Sequence, residues 1–594
     1  MTRRFMQLAA AFLAIILCLP VVRTQAAGGG DEVIIRVGLA SSSSHNDLGQ
    51  MEAAHLQNAS GYGAGYRFGY YDEDLNFVEL GRTGSDVDQI AMLKTQNLYY
   101  GYDTAQGRTT YSSAISSDVL VGCYHILVGD GYSSYDQAAA EAARYEDGFV
   151  AWIDGEYQVR MGDYPDRSAT EEAIASLGYG EVVATSGYGI VVVETGTDHI
   201  LFQFDEGEGS ALAVLPDVTG ADEPQTWFRG FKYRGGFRYQ RLTSAGDLTV
   251  VNVLDLEDYV KGVVCYEMGR EWPLEALKAQ AICARTYALA NLGTHESLGF
   301  DVCNTDYCQV YHGTGSGRED YGPSSTSDQA VEETAGRVLW YEDALAETFY
   351  SSSHGGASES AYYIWGTNME EYPYLCGVED PYEQLVADSN TYSSWTVTYT
   401  ADELQSRLRG YGFGNNTSLD YLELTYSQLG NVIQVTFHWT NGQTNTVTQR
   451  SSNTIKGVFG LRSIRFTVNG ETVNSGSSGG GDSGYLVNGS ETIDSTEGLN
   501  IISGTGEISQ AGEDLYVISG SGSVSALEPG GSSGSNQGGG TVTVSGDTYV
   551  FEGSGWGHQV GMSQYGANAM AREGFTGEEI VEFYFPGTHV DSYP

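Results

Sequence analysis

Basic residues are scarce in this chain. Its 594 residues hold 29 Lys and Arg against 77 Asp and Glu, a formal net charge of −48. A nucleic-acid binder needs a basic footprint to displace counterions, and anionic membrane surfaces favour the same sign. The composition argues against both partners. Such acidity suits solubility outside the cell. Long apolar runs are also missing, with one exception. Leu8–Val22 follows Arg3 and Arg4 and precedes Thr24-Gln25-Ala26. That order of charge, apolar stretch and small residues reads as a secretory signal over residues 1–27. The run is short for a spanning helix, and an uncleaved anchor is the alternative. Cys18 follows Leu17 rather than a small residue, which speaks against a lipoprotein site. Cysteine is sparse as well. Beyond the leader only Cys123, Cys265, Cys283, Cys303, Cys308 and Cys376 remain, too few in this length for a disulfide scaffold.

What is abundant is Gly (79) and Tyr (42); tyrosine-rich surfaces suit polar, ring-shaped ligands such as sugars. The length exceeds what one core supports and predicts several domains. Residues 31–121 read as short strands and glycine turns of unknown role. An internal repeat follows: "YHILVGD" (Tyr124–Asp130) returns as "YQVRMGD" (Tyr157–Asp163), and each copy leads into an Ala/Glu-rich helical stretch. The βαβ-βαβ order predicts a small ferredoxin-like module over 122–196; a generic α+β unit is the alternative. Residues 225–470 mix strands with two helices. "GSSGGGDSG" and "GGSSGSNQGGG" are linkers around a short β-like insert, giving 471–548, and 549–594 closes the chain. The fold class expected is α+β: a mixed catalytic domain with a helical motif packed on strands, plus the ferredoxin-like module.

The segment Gly262–Ala290, "GVVCYEMGREWPLEALKAQAICARTYALA", carries the chemistry. Leu256, Tyr259, Val260, Val263 and Val264 recur at helical spacing, and Glu267 is the next position on that apolar stripe. Gly269 ends this first helix. Pro273 opens a second at a position that tolerates proline, and Gly293 follows it as a cap. A carboxylate on an apolar stripe has a raised pKa and stays protonated near neutrality, which is the state a general acid needs. The competing reading is a structural Glu paired with Arg270 or Arg285, or frayed into solvent. Glu271 and Glu275 occupy more polar positions.

This segment resembles the signature of the SpoIID/LytB family. The likeness continues through "DVCNTDYCQVYHG" (Asp301–Gly313), "YSSSHGGASES" (Tyr350–Ser360), "GLRSIRFTV" (Gly460–Val468) and "GSGWGHQVGMSQYGA" (Gly553–Ala567). It covers roughly 225–590, interrupted by the Gly/Ser-rich stretch. The resemblance implies a lytic transglycosylase that cuts the β-1,4 bond between N-acetylmuramic acid and N-acetylglucosamine in peptide-stripped glycan, with Glu267 as the catalytic residue. Most glycosidases need two carboxylates. A lytic transglycosylase needs one, because the sugar's own C6 hydroxyl is the nucleophile and the product is 1,6-anhydromuramic acid. The same resemblance points to Arg285, Gln309 and Tyr311 as substrate contacts. In the closing loop His558, Gln559, Ser563, Gln564 and Tyr565 either bond sugar hydroxyls or pack the loop under the core. The family often has Gly where Gln559 stands.

Cys303 and Cys308, with His354 as a further ligand, give three readings: a disulfide first, a structural zinc as in some relatives second, free thiols third. Tyr307 replaces the histidine that relatives carry beside the second cysteine. The reaction requires no cofactor. Residues 122–196 resemble a SPOR domain, a family that binds naked glycan strands; Trp152, Tyr157 and Arg160 are its candidate contacts. The partners expected are glycan strands and, on the alternative reading of a non-catalytic wall-binding modifier, a cell-wall amidase. A surface adhesin is a third reading. The expected location is secreted and wall-associated, in wall remodelling with sporulation as one setting.

Overall fold

The computed structural model describes residues 33–61, 63–217, 223–317, 322–471 and 539–594, and by backbone alone six short strands between 485 and 526. The signal segment and most of the Gly/Ser-rich stretch lie outside the described residues. The chain is mixed α+β, with several sheets. No described helix is long and apolar enough to cross a membrane.

Two large sheets support the site. An eight-stranded sheet orders Leu48–Gly49, Ile34–Ser41, Thr249–Asp255, Gly236–Gln240, Ala211–Pro216, Tyr66–Tyr71 and Phe77–Arg82, with Val302–Cys303 added beside Ile34–Ser41. The strands Ile34–Ser41 and Thr249–Asp255 are buried along most of their length rather than alternating, because both of their faces are covered. It pairs antiparallel with Thr249–Asp255, so Ile34 lies opposite Asp255. Strands from 31–121 are thus built into the sheet that launches the helical motif.

The ten-stranded sheet contains the repeat. Its order begins Glu181–Ala184, Tyr124–Tyr132, Glu156–Tyr164, Gly148–Ile153 and continues through Ile200–Asp205, Ile190–Glu194, Gln89–Lys94 and Ala53–Asn58 to Thr226–Phe228 and Phe231–Tyr233. Helices α1 (Tyr135–Ala142) and α2 (Arg167–Leu177) follow the two repeat strands, N-capped by Ser134 and Asp166. The stretch 122–196 is not a free-standing sheet. Gly148–Ile153 pairs in parallel with Ile200–Asp205, and Ile190–Glu194 pairs with Gln89–Lys94. A three-stranded sheet (Leu98–Asp103, Arg108–Ser112, Leu120–Val121) brings Leu98, Tyr111 and Val121 against Phe149, Ala151 and Val191. Arg160 is buried and bonded to Gln158 and Gln203. It is therefore not a ligand contact, because the face it occupies is covered.

Strand Thr249–Asp255 runs directly into α3 (Leu256–Glu267). Asp255 caps it, accepting from the amides of Glu257 and Asp258; such a cap stabilises a helix by about 1 kcal/mol. Leu256, Tyr259, Val260, Val263 and Val264 are all buried, as the stripe requires. Each such side chain stabilises the fold by roughly 1.5–3 kcal/mol. Gly262 is needed because Tyr311 packs onto the helix there: a Cβ would meet its ring at 2.5 Å. Helix α4 (Leu274–Ala290) begins after Pro273 and is buried along almost its whole length, which is why it carries small residues on every side. The strands Phe466–Val468 and Thr548–Gly553 pair antiparallel, Val468 opposite Phe551. After the Gly/Ser-rich stretch the chain re-enters at Gly540–Val544, an edge strand paired with Leu419–Tyr426, before it reaches Thr548–Gly553.

Candidate active site

Glu267 is the last residue of α3. Its side chain stands at the junction of three sequence blocks. The Val310 amide donates to Oε1 at 2.9 Å, and the Gln564 side-chain amide reaches Oε2 at 3.4 Å. The Tyr350 hydroxyl is a further hydrogen-bond partner. Burial pushes the Glu267 carboxyl up to about 7, against the lowering effect of these donors; the exposed Asp306 adds like-charge repulsion in the same upward direction. A carboxyl balanced near neutrality can give a proton and take one back.

The donors are themselves held. Gln309 donates to the Tyr350 hydroxyl at 3.0 Å and accepts from Tyr259 at 2.9 Å. Gln564 also meets Gln280 of α4 at 3.3 Å. Ser563 caps the helix Gln564–Arg572, accepting from the Gly566 amide. His558 bonds the Tyr350 carbonyl at 2.9 Å and accepts from the Val560 amide at 3.1 Å. Gln559 sits at φ +64, the left-handed region that favours glycine. Its side chain repays the strain by clamping Ile464, His354 and Asn431.

The sequence reading of the substrate contacts needs correction. Arg285 is fully buried and bidentate to Glu257 at 2.7 and 2.5 Å, with further bonds to carbonyls of Ala281, Val331 and Arg337. It ties α4 to α3 and faces no cleft. Tyr311 is buried against Gly262 and donates to Asn252 at 2.7 Å. Gln309, Gln559 and Ser563 are also buried and act through their neighbours. Gln564 touches the carboxylate. Tyr565 is partly exposed, with its ring 5.0 Å from Trp272. Tyr350, which the sequence offered only as part of a matching block, is the residue that reading missed.

The cysteine reading also changes. Cys303 and Cys308 are unbonded thiols. His354 is not near them. It is fully buried with neither ring nitrogen hydrogen-bonded, behind a turn whose amides His354 and Gly355 donate to Glu383. That turn borders a cavity of about 430 Å³ that Asp380, Glu383 and Arg465 help to line. The residue that joins the cysteines is His295. Its Nε2 lies 3.2 Å from the Cys308 sulfur, and the three ligand atoms lie within 4.8 Å of one another. This soft N/S set fits the zinc that the resemblance implies. Held by His295, Cys303 and Cys308, the metal would cross-link the loop to the strand Val302–Cys303 and so to the eight-stranded sheet.

Fold and site define a mixed α+β protein with one proton-balanced carboxylate at a helix end. The protein-family model described as "SpoIID: Stage II sporulation protein" matches residues 244–341, which span both helices. The chain is 30% identical over 338 residues to "Amidase enhancer" of Bacillus subtilis (strain 168), covering 56% of this chain and 40% of that one. It is 36% identical over 183 residues to an uncharacterized protein of Brachyspira hyodysenteriae, covering 31% and 45%. It is 28% identical over 349 residues to "Stage II sporulation protein D" of B. subtilis (strain 168), covering 57% and 75%. The chain thus spans less than half the length of the first two relatives. These matches support a SpoIID assignment for the domain that carries the two helices.

Proposed function

We propose that the protein is an exported, wall-associated lytic transglycosylase that cleaves N-acetylmuramic acid–N-acetylglucosamine bonds of peptide-stripped glycan. The observation that carries this reading is Glu267, a single carboxyl raised to about 7 by burial yet held by Val310, Tyr350 and Gln564. Protonated, Glu267 gives its proton to the leaving O4 of N-acetylglucosamine as the C1–O4 bond breaks. The muramic C6 hydroxyl then bonds to C1, and the Glu267 carboxylate takes the hydroxyl proton. No water is consumed and the carboxyl ends as it began. The Val310 amide and Tyr350 hydroxyl stabilise the carboxylate between the two transfers. The test is digestion of purified peptide-stripped glycan: anhydro-ended fragments support the reading, reducing ends identify a hydrolase, and no cleavage removes it.

A second reading rests on a specific observation, the 338-residue alignment to a relative named an amidase enhancer. Here the protein binds glycan and stimulates an amidase without cutting. Faster amide hydrolysis by a wall amidase, in the absence of glycan cleavage, would favour it.

The stretch 122–196 is proposed as a second glycan contact on a ferredoxin-like, SPOR-like frame. Support comes from its strand order, in which the second repeat strand lies between the first and Gly148–Ile153, every neighbour antiparallel. Trp152 and Tyr157, their rings 4.6 Å apart and partly exposed, are its available aromatics.

A further inference from the structure

The acidic residues are unevenly spread. Between Glu423 and Glu471 the chain has no Asp or Glu, yet Arg450, Lys456, Arg462 and Arg465 fall there. Between Glu552 and Glu573 there is again none. These two stretches meet: Lys456 donates to the Gly557 carbonyl at 2.7 Å, and the Gly557 amide bonds the Arg462 carbonyl at 3.3 Å. In a chain of charge −48 these two stretches carry no acid of their own.

A row of rings runs from the helix end to where these stretches meet. It starts at Trp272, in the loop just after Glu267, and passes to Tyr565 at 5.0 Å, beside the Gln564 that touches the carboxylate. It continues to Tyr392 at 6.3 Å and Trp556 at 5.0 Å. The Arg462 guanidinium closes it, 5.5 Å above the Trp556 ring. These rings are not core. Trp556 is 45% exposed, and Arg462 is exposed with no carboxylate paired to it among the described residues. Partly exposed aromatic faces suit the faces of pyranose rings, and a guanidinium's planar fork suits a carboxylate.

We infer that Trp272, Tyr565, Tyr392 and Trp556 form a glycan-binding rail leading from Glu267, and that Arg462 at its end reads a carboxylate carried on a sugar. On the reading given above, that carboxylate is the lactyl group of N-acetylmuramic acid. The group is charged only after the amide joining it to the stem peptide has been hydrolysed; before that it is a neutral, bulky amide. On that reading, selectivity for stripped strands resides in one charge contact at the end of the rail rather than in the catalytic acid.

The test is binding by the full-length chain carrying Glu267→Gln, so that cleavage does not interfere. The two ligands are a peptide-stripped muramic-acid-containing oligosaccharide and an N-acetylglucosamine oligomer of equal length, which lacks the lactyl group. Adding Arg462→Gln should weaken the first at least tenfold more than the second, about 1.4 kcal/mol of discrimination. Trp556→Ala should weaken both. Equal loss on both ligands with Arg462→Gln, or no loss on either, overturns the inference. A wild-type protein that binds with this discrimination but never cleaves would sink the proposed reaction alone. Cleavage that ignores Arg462 would sink the rail alone.

Discussion

Gln564 and Glu267 are 297 positions apart in sequence and 3.4 Å apart in space. The contact joins the closing loop to the end of α3 across the whole intervening fold. It makes the acid's environment a property of two distant blocks rather than of the helix that carries it.

Glu267→Gln should abolish turnover while strand binding survives. Loss of a general acid costs about 10²–10⁴-fold, and a sole acid/base belongs at the upper end. Anhydro-sugar release, measured by mass spectrometry beside co-sedimentation with stripped glycan, checks both halves. Turnover near wild type would remove Glu267 from the reaction.

The same residue predicts a stability signature. Its folded-state carboxyl is raised to about 7 from 4.5, so between those values the folded protein holds more proton than the unfolded. Stability linked to Glu267 is therefore present at low pH and lost as pH rises towards 7. Glu267→Gln should melt higher than wild type at pH 8, with the advantage shrinking towards pH 4. Parallel melting curves across that range decide it.

Activity should fall on the alkaline side with an apparent pKa near 7, as the acid loses its proton. Tyr350 lowers the Glu267 pKa as a hydrogen-bond partner. Tyr350→Phe should therefore move that limb to higher pH as well as slow the reaction. A pH–rate profile that loses height but keeps its limb would show that Tyr350 acts only by packing.

Arg285→Ala should destabilise by roughly 3–5 kcal/mol, the cost of leaving one member of a buried ion pair without its partner. Glu257 and the carbonyls around it would lose their donor. Denaturant unfolding measures this, and a folded variant with a selective rise in KM would restore Arg285 as a substrate contact.

Metal analysis should find one zinc per chain, lost with Cys303→Ser and with His295→Ala but retained with His354→Ala. A chelator should lower the melting temperature. An intact mass two hydrogens short and no metal would show a disulfide instead.

The helical motif was legible in the sequence because period and caps act locally. The apolar stripe, Pro273 and the position of Glu267 all lie within one short segment. What surrounds Glu267 was not legible, because Tyr350 and Gln564 arrive from remote blocks. Arg285 misled for a related reason: an arginine inside a matching motif looks functional until Glu257 is seen to occupy its whole fork. His295 was readable in principle, eight residues before Cys303, but the block Tyr350–Ser360 that matches the family drew attention to His354 instead. The repeat at Tyr124 and Tyr157 showed its strands and helices correctly. Its fusion to strands at Gln89 and Ile200 depends on long-range pairing that no local pattern encodes.

The pairing of Val468 with Phe551 has a practical consequence. The chain leaves after Glu471 and returns at the edge strand Gly540–Val544, which leads into the strand of Phe551, so both ends of the intervening stretch are anchored by paired strands. Closing a longer loop there costs only a slowly growing entropy, about 0.6 kcal/mol per doubling. The site therefore works as a cloning port. A fluorescent protein, an affinity handle or an additional wall-binding domain could replace the native insert between 472 and 538 without altering the strands on either side.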